Sequence, residues 1–157
     1  MQRTVVTRVH FDRPPDAVME YLRHLDNWPK FAEGVVDVDP RGGYLETGGE
    51  GSWTRKTGPS KSVNRFRVLE LDPGGKLVLQ VDEGGITATD ETHLEPADGG
   101  TDATFRETLT AHSLGAKLLL AAFTPLIGGN LRRTYDRLKA EVEAPGIPAG
   151  AGQPGAG

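Results

Sequence analysis

Two acidic residues, Asp90 and Glu107, are the strongest candidates for chemistry in this sequence. They lie in neighbouring segments that alternate polar and apolar residues, a pattern typical of β-strands joined in a hairpin. If residues 96–101 form a simple turn, Leu94 pairs with Ala103, and the two acids face each other on the apolar side. Burial and like-charge repulsion both raise a carboxyl pKa, so one acid is expected to keep its proton near neutral pH. The spacing therefore predicts general acid–base catalysis by both residues on an enolisable carbonyl substrate.

Arginines on the neighbouring strands leave a structural alternative open. Any of Arg55, Arg65 and Arg67 could instead form an ion pair with one of these acids, and a β-bulge could shift the hairpin register. Arg55 and Arg67 lie close to aromatic residues in alternating segments. Each side chain therefore either faces solvent or points inward, where it would orient a carbonyl or carboxylate group of a ligand.

The other candidate ligand contacts are large side chains that would line a cavity for a flat or lipidic molecule. These side chains are Trp53, Phe66, Phe105, Phe123, Ile127, Leu131 and Tyr135, and Arg55 and Arg67 complete the set of candidate ligand contacts. Most of the aromatic residues are also consistent with an ordinary hydrophobic core. Tyr135 has two interpretations: its hydroxyl meets a ligand oxygen, or the ring belongs to the core and its hydroxyl reaches the rim.

Seven β segments are predicted to position these residues. They span residues 3–11, 35–40, 50–57, 62–72, 76–83, 86–95 and 102–112. Turns that contain Gly and Pro separate the later segments, and this arrangement is typical of an antiparallel meander.

Two helices complete the predicted pattern. The first begins at Pro14-Pro15-Asp16 and is expected to break at Trp28-Pro29, and its buried stripe consists of Val18, Leu22, Leu25 and Trp28. The second is the longest element and ends near Glu143. Its predicted inward face consists of Leu120, Thr124, Ile127, Leu131, Tyr135, Leu138 and Val142. Pro125 and Gly128-Gly129 predict a kink or a soft stretch in its first half.

The composition argues against several classes of protein. The 157-residue chain has no Cys and a formal net charge of −4, so we expect no thiolate chemistry and no nucleic-acid partner. Its four His residues are dispersed and no phosphate-binding loop is visible, so neither a metal nor another cofactor is expected. The longest apolar run, residues 118–123, is much shorter than the ~20 residues that span a bilayer, so no stable membrane insertion is expected. The N-terminal segment lacks a signal-peptide pattern, which favours a cytoplasmic location.

Several short motifs carry a family resemblance. They are Pro14-Pro15-Asp16-Ala17-Val18, Asn27-Trp28-Pro29-Lys30-Phe31, the turn Glu70-Leu71-Asp72-Pro73, and a final helix rich in Leu and Arg. Over residues 3 to about 143 the sequence resembles the polyketide cyclase/dehydrase and START-like (SRPBCC) lipid-binding superfamily. The resemblance implies an α+β helix-grip fold, in which a curved seven-stranded antiparallel sheet wraps a long C-terminal helix and encloses an apolar cavity. The domain would span residues 1–144 and leave residues 145–157 as a disordered tail of Gly, Ala and Pro.

The resemblance leaves the function open. In one hypothesis a cofactor-independent cyclase or dehydratase folds a reactive carbonyl chain in the cavity; in the other a carrier or sensor binds a lipid, quinone or polyketide unchanged. Arg65-Phe66-Arg67 stands where aromatase/cyclases have a Trp-rich segment and a cavity arginine, so cyclase residues do not transfer directly. A third hypothesis is an interaction module, in which residues 118–123 contact a partner or another copy of the chain. A monomer or a homodimer is expected.

Overall fold

The computed structural model describes residues 1–146, and most of the predicted tail, residues 147–157, lies outside the described residues. The strands are β1 Gln2–Phe11, β2 Val35–Asp39, β3 Glu50–Thr57, β4 Ser60–Asp72, β5 Lys76–Glu83, β6 Ile86–Ala97 and β7 Gly100–Ala111. The helices are α1 Pro15–Arg23, α2 Trp28–Phe31 and α3 Leu114–Val142. The strand boundaries predicted from alternation and turn residues agree with these to within two residues.

All the strands form one antiparallel sheet in the order β1-β7-β6-β5-β4-β3-β2. From β2 to β7 each strand pairs with the next one along the chain, and β1 returns to pair with β7. Register shifts between Val35 and Asp37 and between Val68 and Glu70 interrupt the ladders of β2 and β4. Such irregularities bend a strand and increase its twist, which helps the sheet to curve around a helix. The predicted α+β helix-grip fold is confirmed.

The hairpin between β6 and β7 has the predicted register. Ala97 pairs with Gly100, so the loop contains only Asp98 and Gly99, whose φ angles are 48° and 76°. A two-residue loop with positive φ at both positions matches the right-handed twist of the flanking strands, and Asp-Gly is a favoured sequence for it. The pairing then continues without a bulge along the whole hairpin, which places Asp90 opposite Glu107.

The first helix is shorter than the apolar stripe suggested. α1 ends at Arg23, His24 is extended, a 3₁₀ turn covers Leu25–Asn27, and Trp28 starts α2. The prediction of a helix that breaks at Trp28-Pro29 was therefore wrong. Proline has no N–H to donate and suits the first turn of a helix, so Pro29 opens α2 instead of ending α1.

Helix α3 packs on the inner face of the sheet and is anchored mainly by its second half. Leu138 and Val142 are fully buried, and the helix contacts β1 and α2 along this part. Pro125 lies inside the helix without ending it, and the Thr124 hydroxyl donates a hydrogen bond to the Leu120 carbonyl at 2.6 Å. The helix assignment is continuous from Leu114 to Val142, so the predicted soft stretch does not break it.

Candidate active site

A cavity of about 100 Å³ lies between the inner face of the sheet, α2 and the second half of α3. Its apolar wall is largely aromatic and includes Trp28, Phe31, Trp53, Phe105 and Tyr135. Its polar lining contains four carboxylates, those of Glu33, Glu83, Asp90 and Glu107, and one guanidinium, that of Arg55. A mainly apolar pocket with a few converging polar groups is the usual form of a small-molecule site.

The two central carboxylates lie side by side in an apolar row across the sheet. Leu79 pairs with Asp90, Asp90 with Glu107, and Glu107 with Val5. The row therefore offers no cationic partner to either acid. Both side chains are half-buried, and the surface that they retain lines the cavity.

Burial raises the pKa of Asp90 to about 7, with a further contribution from the negative charge of Glu83. Burial also raises the pKa of Glu107 well above its ordinary value, and the charges of Asp90 and Glu83 add to this effect. Burial and the mutual repulsion of the two acids oppose the ionisation of both, so the pair retains one proton near neutral pH.

Arg55 opposes these shifts only in part. Its guanidinium lowers the pKa of both acids, but its Nη2 lies 3.8 Å from an Oε1 of Glu83. The same Glu83 oxygen accepts a 2.9 Å hydrogen bond from the side-chain amide of Asn64. Glu83 thus holds Arg55 at one end of the cavity and leaves Asp90 and Glu107 without a direct salt bridge among the described residues.

Three polar atoms of the lining are buried and have neither a hydrogen-bond partner nor an ion-pair partner within residues 1–146: Trp53 Nε1, Arg55 Nε and Asp90 Oδ1. A buried donor or acceptor without a partner costs about 1–3 kcal/mol, so such atoms mark places where a ligand or water can bind. Two are N–H donors and one is a carboxyl oxygen. Stacking fixes the Trp53 indole, whose ring centroid lies 5.3 Å from that of Trp28 and 5.2 Å from that of Phe66.

Tyr135 contributes the helical wall of the cavity. Its ring stacks on Phe105 with centroids 3.9 Å apart and an angle of 11° between the planes. Burial raises the pKa of the Tyr135 hydroxyl well above its ordinary value, and the charges of Asp90 and Glu107 act in the same direction. The hydroxyl therefore stays neutral and remains a hydrogen-bond donor inside the cavity.

Four of the candidate contacts lie elsewhere and need correction. Arg67 is exposed on the outer face and donates a 2.9 Å hydrogen bond to Glu50, because its neighbour Phe66 occupies the inner face. Phe66 is buried behind Trp53 and does not line the cavity. Phe123 is 49% exposed on the outer side of α3, and Ile127 packs on the core beside the cavity. Arg55, Trp53, Phe105, Leu131 and Tyr135 do line it.

Sequence reasoning missed Glu83 and Thr134. Glu83 follows Leu77, Leu79 and Val81 at every second position along β5. Alternate residues of a strand point to the same face, so the sequence already placed Glu83 on the inner face. The hydroxyl of Thr134 accepts a 3.0 Å hydrogen bond from the Glu33 N–H and joins α3 to the segment after α2. No local sequence pattern signals this contact, since the two residues are far apart in the chain.

The fold and the cavity together define a helix-grip protein with a carboxylate pair in its interior. The chain belongs to the polyketide cyclase/dehydrase and lipid transport family, whose sequence profile matches residues 2–143. No curated protein matches the sequence closely enough to be compared.

Solved structures support the same fold. A protein of unknown function, SA2116, from Staphylococcus aureus is similar with a TM-score of 0.72 and 13% identity over 91% of this chain and 94% of its own. Ara h 8.0201 gives a TM-score of 0.69 and 15% identity over 90% and 98%. A truncated norcoclaurine synthase from Thalictrum flavum gives 0.67 and 14% over 91% and 94%. At these identities the likeness concerns the fold alone.

Proposed function

We propose that this protein is a cofactor-independent acid–base catalyst of the polyketide cyclase/dehydrase type, which cyclises or dehydrates a hydrophobic carbonyl compound in the cavity. The observation that carries the proposal is the Asp90–Glu107 pair, set in an apolar row with the pKa of Asp90 raised to about 7. A base with a pKa near the working pH is ionised often enough to act and still binds a proton well.

The carboxylate pair and the unpaired donors suggest a sequence of proton transfers. The ligand carbonyl oxygen accepts hydrogen bonds from Trp53 Nε1 and Arg55 Nε, which stabilise the enolate that forms. Ionised Asp90 removes a proton from the carbon next to the carbonyl. Protonated Glu107 then gives its proton to a β-hydroxyl group, the C–O bond breaks, and water leaves as the enolate collapses to a double bond. In a cyclisation the enolate carbon attacks a second carbonyl, and Glu107 protonates the new alkoxide.

The cavity volume limits what can be bound without rearrangement. Ligand pockets for drug-sized molecules measure roughly 300–1,000 Å³, whereas this cavity measures about 100 Å³. The present arrangement holds only the reacting end of such a molecule. A longer ligand requires Leu131 and Tyr135 on α3 to move outward, and the half-buried state of both residues is compatible with that movement.

The proposal is tested with β-tetralone, an aromatic ketone with exchangeable α-protons, in deuterium oxide. Proton NMR should show faster α-proton exchange with the protein than with buffer, and the rate should rise around pH 7 as Asp90 ionises. Asp90→Asn and Glu107→Gln should each reduce the protein-dependent rate by about 100-fold or more. Glu95→Gln, on the exposed face of β6, is the matched control and should keep the wild-type rate. Wild-type rates in both cavity variants would overturn the proposal.

The alternative is a non-catalytic carrier or sensor for a lipid, quinone or polyketide. The unpaired donors and the stacked aromatic wall support it, since both are needed for binding and neither requires catalysis. Native mass spectrometry of the purified protein separates the two: a carrier retains an apolar ligand and returns it unchanged, whereas an enzyme alters it. We place either activity in the cytoplasm, an assignment supported by the Cys-free sequence.

A further inference from the structure

The first half of α3 exposes a continuous apolar surface. Leu114, Leu118, Leu119, Phe123 and Leu126 are each between 48% and 74% exposed, and we call this set the outer apolar face. At about 100° per residue Leu114, Leu118 and Leu126 point away from Leu120, which is buried against the core, and Phe123 lies at the edge between the exposed and the buried side. Soluble monomers rarely expose apolar patches of this extent without a binding role.

Basic residues lie beside the outer apolar face: Arg132 and Arg133 follow it, and Lys117 lies within its span, between Leu114 and Leu118. Residues 118–131 contain no charged side chain, Lys117 precedes them, and Arg132 and Arg133 follow. Leu119, Leu126 and Arg133 are seven residues apart, so one line along the helix surface runs from apolar to cationic. Within α3 five basic residues stand against two acidic ones, although the whole chain has a net charge of −4. Arg133 forms no ion pair among residues 1–146 and donates instead to the Asn130 side chain.

We propose that the outer apolar face of α3 docks the protein on an anionic phospholipid surface. The leucines and Phe123 would enter the boundary between head groups and acyl chains, and the flanking cations would lie at the level of the phosphates. A second copy of the chain fits this surface less well. Antiparallel pairing of two such helices would bring Lys117 of one copy towards Arg132 and Arg133 of the other, and the acid next to those arginines on α3, Asp136, is already paired with Arg132 at 3.4 Å.

The contact is peripheral and does not span the bilayer. By length and composition α3 could cross a membrane: its most apolar 18-residue window has a mean hydropathy of 1.4, and only 11% of that window is buried. However, Leu138 and Val142 at the other end of the helix are fully buried in the domain. A spanning orientation would remove them from the core, whereas a helix that lies along the surface leaves the fold intact.

A fluorescence experiment exploits the absence of Cys in the chain. Phe123→Cys is labelled with an environment-sensitive nitrobenzoxadiazole dye and mixed with vesicles of phosphatidylcholine and phosphatidylglycerol, or of phosphatidylcholine alone. We expect a blue shift and a several-fold rise in emission with the anionic vesicles and a smaller change with the neutral ones. Val63→Cys, an apolar position on β4 that is more exposed than Phe123, is the control and should show no shift. Equal responses at both positions would contradict the proposal.

Vesicle cosedimentation of unlabelled protein provides the second measurement. The double variant Leu118→Glu/Phe123→Glu should reduce the bound fraction at least tenfold, and Val63→Glu should not change it, because all three sites are exposed and tolerate charge without unfolding. Arg133→Glu should weaken binding to anionic vesicles by about fivefold or more and leave binding to neutral vesicles unchanged. If wild-type protein ignores vesicles and forms a dimer that Phe123→Glu dissociates, the face binds a second copy and the proposal fails. Proton exchange on β-tetralone does not depend on this face, so the two proposals fail separately.

Discussion

At the scale of single residues, the character of the carboxylate pair comes from its neighbours across the sheet. Asp90 and Glu107 lie between Leu79 and Val5 in one transverse row, and the nearest guanidinium, that of Arg55, is shared with Glu83. The ionised form of an acid in such a place is poorly hydrated, and its formation therefore costs free energy. The pair can therefore bind and release a proton near neutral pH, and its ionised form lowers the stability of the fold.

The first prediction concerns stability and pH. The pKa of Asp90 rises from about 3.8 in the unfolded chain to about 7 in the fold, so between these values the folded state binds more protons than the unfolded state. Protonated Asp90 therefore contributes its full stabilisation of the fold below about pH 4. This stabilisation is lost as the pH rises through 7 and the acid ionises in the folded state. Asp90→Asn removes that loss and should increase the free energy of unfolding by about 1–3 kcal/mol at pH 8 and by little at pH 4.

Urea denaturation at the two pH values measures this difference, with Glu95→Gln as the control on the exposed face of the same strand. The control should change stability by less than about 0.5 kcal/mol at both pH values. An equal effect of Asp90→Asn at pH 4 and pH 8 would show that Asp90 is not desolvated in the folded protein.

At the scale of elements, α3 consists of two halves with different tasks. Its second half holds the helix on the sheet through Leu138 and Val142, and it carries the cavity wall at Leu131 and Tyr135. Its first half contributes Ala116 and Leu120 to the core and presents apolar side chains to the outside. The glycine pair and Pro125 between the halves lower the intrinsic helix stability of the region that would have to adjust when a ligand enters.

The second prediction compares the same substitution in the two halves. Leu138→Ala removes a fully buried side chain and should lower the free energy of unfolding by about 2–5 kcal/mol. Leu126→Ala removes a side chain that is 56% exposed and should change it by less than about 0.5 kcal/mol. Chemical denaturation followed by circular dichroism measures both values. Comparable losses in the two variants would mean that the first half of α3 is packed against another surface in solution.

At the scale of the whole molecule, the domain closes on itself where the end of α3 meets the end of β1. Glu143 accepts a 2.7 Å hydrogen bond from the Asp12 N–H and a 2.8 Å hydrogen bond from the Lys139 ammonium group. The family match also ends at residue 143. Within residues 1–146 the hydrophobic core extends from Val9 to Val142.

The third prediction follows from this closure. A chain that ends after Gly146 should unfold at the same temperature as the full-length protein, because it keeps every core residue found within residues 1–146 and the contacts of Glu143. Differential scanning calorimetry measures the two midpoints. Truncation at residue 137 is the contrasting variant and should fail to fold, since it removes Leu138 and Val142. If the chain that ends at Gly146 unfolded at a lower temperature than the full-length protein, residues 147–157 would contribute to its stability.

The sequence alone determined the strands, the β6–β7 register and the facing of Asp90 and Glu107. These depend on local physics: alternation has a period of two, and the Asp98-Gly99 turn permits one pairing of the strands that follow it. A single register then fixes every side chain of the hairpin.

Only the tertiary structure decided which other residues join the carboxylate pair. Residues 118–131 of α3 carry no charge on any side of the helix, so their sequence could not show that Phe123 faces outward and Leu131 faces the cavity. In β3 and β4 the aromatic residues settled the facing of the arginines: Arg55 shares the face of Trp53, and Arg67 lies opposite Phe66. Where the sequence of a helix or strand does not show which side is buried, the element that packs against it decides the buried side, and that element lies far away in the chain.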